Sequence, residues 1–395
     1  MSNIKKIFVI LFALMAVMLM NTAVWANVKL QSDGTLVLSG NVTVDEVQKY
    51  ADYTYSVTAV KVAEEGAIFP ADCDSLFKNF LNAETIDLKG ADTSKVENMN
   101  KMFYNCYNVT GLDVSSFKQN KCTNFHGMFT GCESLERLDL SNLYTGSGMF
   151  FKSMFEGCSA LKELDLSNFD TRNGTDFENM FINCTELEKL TLGENFPQII
   201  TDMKFPDKKW LNTTTYEIVG GDNYYAAFEN VGKTTYAAGC YYFNEETNTL
   251  TLFGDVDIQQ MYDFGKRYEV KHINAVDGTV FPEYCAGMFN DYTNCIDIDF
   301  SNVDTSNTTN MIGMFFGMTS LERANLSGFD TGNVTDMSAM FSGCDKLHTL
   351  TLGGNFILIG KAACLPATKA GWYRVTTKPT HFTSDGEYVQ ITNTG

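Results

Sequence analysis

The chain has 395 residues and a formal net charge of −19, from 48 acidic against 29 basic side chains. Nothing in it is basic enough to displace counterions from phosphates, which argues against nucleic acid as a partner. Eleven cysteines accompany only four histidines, and no Cys-x-x-Cys occurs, so neither a structural metal nor a cofactor is expected.

Residues 1–26 read as a cleaved export signal rather than as fold. Lys5 and Lys6 form a charged start, an apolar run follows, and Val24-Trp25-Ala26 is a small-residue cleavage site. The apolar run is shorter than the ~20 residues a spanning helix needs. Cleavage is expected to leave Asn27 first and, with two lysines gone, to take the net charge from −19 to −21. Next come Thr35-Leu36-Val37-Leu38 and 42–47, a strand and short helix expected to cap an open end.

From Val57 onward one pattern returns every 26 residues. It is clearest at 161–184, where Leu161, Leu164 and Leu166 make L-x-x-L-x-L, Phe169 and a polar turn follow, and Met180, Phe181 and Cys184 close. The same columns hold Val57-Val60-Val62, Ala83-Ile86-Leu88, Val109-Leu112-Val114, Leu135-Leu138-Leu140 and Leu187-Leu190-Leu192. A fixed period carrying this text is the signature of a leucine-rich-repeat solenoid. In the turn, Ser94…Glu97 has capping-box spacing, with Asn173…Asp176 and Asn333…Asp336 in its place. Val96, Met99, Met102, Phe103 and Cys106 then recur at three- and four-residue spacing, which predicts one face of a helix. Each coil is therefore expected to be strand, turn and short helix, wound right-handed.

The period breaks over residues 193–248, read as closing cap and junction. Then the chain begins again: 249–256 repeats 35–42, Gly278-Thr279-Val280-Phe281-Pro282 repeats Gly66-Ala67-Ile68-Phe69-Pro70, and four rungs follow. Gly353-Gly354-Asn355-Phe356 repeats Gly193-Glu194-Asn195-Phe196, and Trp372 mirrors Trp210. The expected architecture is α/β: a signal at 1–26, a six-rung module at 27–239 and a four-rung module at 240–395, both with β-rich caps.

On 164–171 (LDLSNFDT), 328–347 (GFDTGNVTDMSAMFSGCDKL) and the GxNF close, the chain resembles the BspA-like leucine-rich-repeat surface proteins over roughly 57–200 and 270–360. The resemblance implies a secreted or cell-surface location and, as for some members, adhesion to host matrix proteins or other cells. The turn at 144–148 departs from the family text. Leu365-Pro366-Ala367-Thr368 has Lys369 where a sortase motif has Gly, so it is read as cap loop.

Nine of the eleven cysteines stand where other rungs place apolar residues. Cys106, Cys132, Cys158, Cys184 and Cys344 share one column, which predicts buried free thiols rather than bridges. A disulfide at Cys240 or Cys364 stays open. No catalytic motif occurs, and the carboxylates recur at the repeat period, so no enzyme is expected, although a paired-carboxylate glycosidase site stays open. What remains is the outward face of the parallel strands. One column reads Asp87, Asp113, Asp139, Asp165, Thr191, with Asp299 in the second module; the column beside it includes Arg137, Glu163 and Lys189. These aspartates are either solubilising, accepting hydrogen bonds from Ser115, Ser141 or Ser167 in the next column, or part of a stripe that reads a protein or glycan ligand. A Ca²⁺ site there is only weakly signalled. A non-catalytic binding protein is the leading reading, and a structural surface protein without a specific ligand is the alternative.

Overall fold

The structure is a computed structural model that describes residues 28–51, 56–118, 120–221, 225–230, 232–366, 380–384 and 389–393. The export signal, Trp372 and the Ala367-Thr368 half of the sortase-like text lie outside them. The chain divides into two compact units: one takes the chain as far as Asp207 and then Gly220–Thr235, the other takes Lys208–Val219 and everything from Tyr236 onward. Lys208–Val219 thus counts with the second unit, although it precedes the expected boundary at 239/240.

Each unit is a leucine-rich-repeat-like β-solenoid. In the first, Thr35–Asn41, Ala59–Ile68, Thr85–Asp87 and Gly111–Asp113 pair in parallel, and Arg137–Leu138, Glu163–Leu166 and Lys189–Leu192 form a second parallel ladder. Like residues meet across rungs, as in Leu164 with Leu138 and Leu190. In the second unit Thr249–Leu252, His272–Ala275, Asp297–Asp299, Arg323–Leu326 and Thr349–Leu352 do the same. Alternation sends Leu164 and Leu166 into the core and leaves Glu163 and Asp165 exposed. The short helix expected at 42–47 is present as Val44–Gln48, and Ile258–Asp263 is its counterpart in the second unit, started by side-chain caps from Thr43 and Asp257.

The helix expected in every coil is absent; apart from those two caps, the described residues contain no α-helix. The reason lies in two columns of left-handed residues four positions apart. Lys101 and Asn105 have φ of 51° and 59°, Gly127 and Gly131 57° and 73°, and Asn179 and Asn183 60° and 63°. A left-handed residue every four positions breaks a helix. The N–H groups are satisfied in another way. Met99, Lys101, Phe103 and Asn105 donate to Asn124, His126, Met128 and Thr130 in the next rung at 2.8–2.9 Å, while Met102, Tyr104 and Cys106 donate three residues back. The coil is a run of tight turns stitched to its neighbours on a second side, so three- and four-residue apolar spacing arises without a helix.

The capping boxes dissolve with it. Ser94 N–H donates to Asp92 Oδ1 at 3.0 Å, and Glu97 N–H donates to Ala71 of the preceding rung. Asn173 and Asn333 stitch rungs instead, donating to the carbonyls of Gly146 at 2.9 Å and Ser306 at 2.7 Å.

Inside the first unit Phe77, Phe103, Phe129, Phe155 and Phe181 stack nearly parallel with ring centres 5.6–5.8 Å apart. That separation exceeds the ~4.8 Å between strands, so the rings are offset, which suits their quadrupoles. Beside them runs the cysteine column. Cys106, Cys132, Cys158 and Cys184 each donate S–H to a phenylalanine carbonyl of the preceding rung at 3.1–3.4 Å. All eleven cysteines are free and all but Cys364 are buried. The column therefore holds thiols as small apolar donors, and Cys240 and Cys364 are unbridged too.

Candidate functional site

The outward sheet face of the first unit carries the predicted charges, and their local geometry is set by the turn that follows each strand. Asp87, Asp113, Asp139 and Asp165 each accept, through Oδ1, the backbone N–H two residues on, at 2.8–2.9 Å. Asp299 does the same for Ser301 at 3.1 Å. These are Asx-turns, in which a carboxylate fixes the chain as it leaves the sheet. The Ser141 backbone N–H, and then its hydroxyl, hold Asp139 below the usual carboxylate range. One oxygen of each carboxylate is thus committed to the turn while the side chain stays at the surface.

Five of the eight predicted residues come together. Arg137, Asp139, Glu163, Asp165 and Lys189 line an open groove of about 560 Å³, floored by Leu138, Leu140 and Leu164 and edged by Ser141, Ser167, Asn168 and Thr191. Glu163 and Lys189 approach to 3.7 Å across adjacent strands, with about half of each side chain exposed, so this pair contributes little to stability. Arg137 makes no ion pair among the described residues. Asp87 and Asp113 continue the column on neighbouring strands but lie outside the groove. Asp299 belongs to the second unit, where the Asn325 side chain donates to it at 3.0 Å.

Sequence reasoning missed a second charged set. In the second unit His272, Asp297 and Arg323 occupy the column equivalent to Arg137, Glu163 and Lys189. The His272 Nδ1 lies 3.0 Å and the Arg323 guanidinium 2.8 Å from the Asp297 carboxylate. The signal was legible: reading that column on through the second module finds all three.

No group of three or more His, Cys, Asp or Glu among the described residues is placed to hold a metal ion. No helix among them is long and apolar enough to cross a membrane.

No curated protein matches the chain in sequence. Among solved structures, it is similar to a leucine-rich repeat protein from Eubacterium ventriosum ATCC 27560, at 14% identity over 83% of each chain with a TM-score of 0.28. It is also similar to a chain of the TLR13–ssRNA13 complex, at 13% identity over 81% of this chain and 39% of that one, with a TM-score of 0.23. Neither likeness bears on a ligand. Two stretches of rungs, residues 71–194 and 283–352, one in each unit, match the family described as "Mycoplasma protein of unknown function, DUF285".

Proposed function

We propose that this is an exported, BspA-like surface protein that binds a partner protein through the first unit's sheet groove and catalyses no reaction. The observation that carries this reading is the groove itself. Asp165 stands there in the strand Glu163–Leu166 and Asp139 just past Arg137–Leu138, each with one carboxylate oxygen held by a turn N–H. Charges preset in this way cost little to order on binding. Their sign, in a chain of net charge −19, steers a basic patch of a partner toward them, and salt screens that attraction. The charged side chains follow the repeat columns, as scaffold features do, which favours binding over catalysis.

The Asx-turn contacts favour a second reading, a structural surface protein without a specific ligand, because turn formation alone accounts for an aspartate in every rung. A pull-down separates the two. The chain freed of residues 1–26 should retain a subset of basic matrix or cell-surface proteins at low salt and release them as salt rises; no retention at low salt would leave the structural reading standing.

Export rests on Lys5, Lys6, the apolar run and Val24-Trp25-Ala26. Terminal sequencing of the secreted protein should find Asn27 first, within a residue or two. Secreted material that starts at Met1 would contradict cleavage.

A further inference from the structure

The last repeat strand of the second unit is bare on one side. Thr349–Leu352 stands at the edge of its sheet: Arg323–Leu326 pairs with it on one side, and no strand among the described residues pairs with it on the other. The equivalent strand of the first unit, Lys189–Leu192, is not an edge. A further strand that starts at Thr234 lies beyond it, and the Thr191 and Thr235 hydroxyls meet at 3.0 Å. Burial differs accordingly. Leu190 and Leu192 are fully buried, whereas Leu350 and Leu352, in the same two columns, stay partly exposed.

A bare edge offers unpaired backbone N–H and C=O groups to any other strand, and proteins ordinarily blunt such edges with charge or proline. Here the covered strand carries those devices and the bare one has lost them. Glu188, Lys189, Glu194 and Pro197 in the first unit give way to His348, Thr349, Gly354 and Ile357 in the second. Residues 347–360 contain no Asp, Glu, Lys or Arg, and Ile357 keeps 52% of its surface exposed. A net charge of −19 holds copies of this chain apart in general, but two of these edges meet without like-charge repulsion. The text Thr-Leu-Thr-Leu also suits pairing with itself. Set antiparallel about a two-fold axis, two copies keep their threonines on one face of the joined sheet and their leucines on the other.

We infer that the Thr349–Leu352 edge is a self-association surface, on which a second copy of this chain lays its own Thr349–Leu352 to make one continuous sheet. The inference is independent of what the first unit's groove binds.

The test follows the mass of the chain freed of residues 1–26 by sedimentation as its concentration is raised. Monomer should give way to dimer, and the amides of residues 349–352 should exchange with solvent deuterium more slowly in the dimer than in the monomer. Thr349→Lys with Thr351→Lys sets lysines against lysines across the two-fold axis. This double variant should weaken the dimer at least tenfold. Both threonines are exposed, and Lys189 already fills the position equivalent to 349, so the melting temperature of dilute protein should not change. A chain that stays monomeric overturns the inference, whether its 349–352 amides then exchange freely, are protected by its own residues, or are protected only by a foreign strand. A dimer that the double variant forms equally well overturns it too.

Discussion

Alkaline conditions should unfold this protein steeply, and the buried thiols should be the cause. Burial pushes Cys106, Cys158 and Cys344 up to about 12, and Cys132 and Cys184 rise in the same direction, from an ordinary value of 9.0. The folded column therefore holds its protons where the unfolded chain gives them up. A folded pKa above the unfolded one means stability that is fully present below about pH 9 and is lost as pH rises toward about 12. Each such thiol lowers stability as pH rises through that window, and the first unit holds four of them, Cys106, Cys132, Cys158 and Cys184. Denaturant midpoints measured from neutral pH upward should fall sharply above pH ~9. Replacing Cys132 and Cys158 by Ala should lower stability at neutral pH, through lost packing and S–H donors, yet flatten the alkaline fall. Parallel slopes for the two proteins would remove the thiols as its cause.

The second large effect concerns two glycines that close the solenoids. A Cβ on Gly193 would lie 1.9 Å from the Ser167 carbonyl oxygen, and one on Gly353 would lie 2.0 Å from that of Ser327. Both obstacles are backbone, held in the preceding rung, so neither can rotate away. Gly193→Ala and Gly353→Ala should each cost about 3 kcal/mol or more, the upper range for forced overpacking. Gly332→Ala is the contrast: its Cβ would meet only the Asp330 side chain, at 3.1 Å. Thermal melts should rank Gly332→Ala well above the other two. Equal melting temperatures would mean that the last rung yields where the close approach says it is fixed.

These glycines also show what the sequence made legible. Gly193-Glu194-Asn195-Phe196 and Gly353-Gly354-Asn355-Phe356 marked the end of each rung series, and the reason is the close backbone approach at the first residue. The facing of each strand was legible because L-x-x-L-x-L allows only one face to be buried. The cysteine column was legible because it alternates with Phe80, Met318 and Tyr292 at one buried position. The coil conformation was misread. Ser75, Lys101, Ser153 and Ala339 hide the left-handed column, since only Gly127, Gly287 and Gly313 advertise it, and local spacing of apolar residues cannot tell a helix from turns bonded to the next rung. At the candidate site, the aspartate column could be found by period alone. Which members share a groove, and that His272 and Arg323 close on Asp297, depend on how neighbouring strands set their side chains.

The central claim is that the first unit's groove reads charge on a partner. Its most direct test is the affinity and salt slope of Asp139→Asn with Asp165→Asn, measured against a basic protein retained in the pull-down. Asparagine keeps the oxygen that accepts the turn N–H, so the fold should stand and only the charge should go. Affinity at low salt should fall about tenfold, the salt dependence should flatten, and Asp113→Asn, outside the groove, should do much less. Unchanged affinity and an unchanged slope in the double variant would contradict the account and leave these aspartates as turn formers alone.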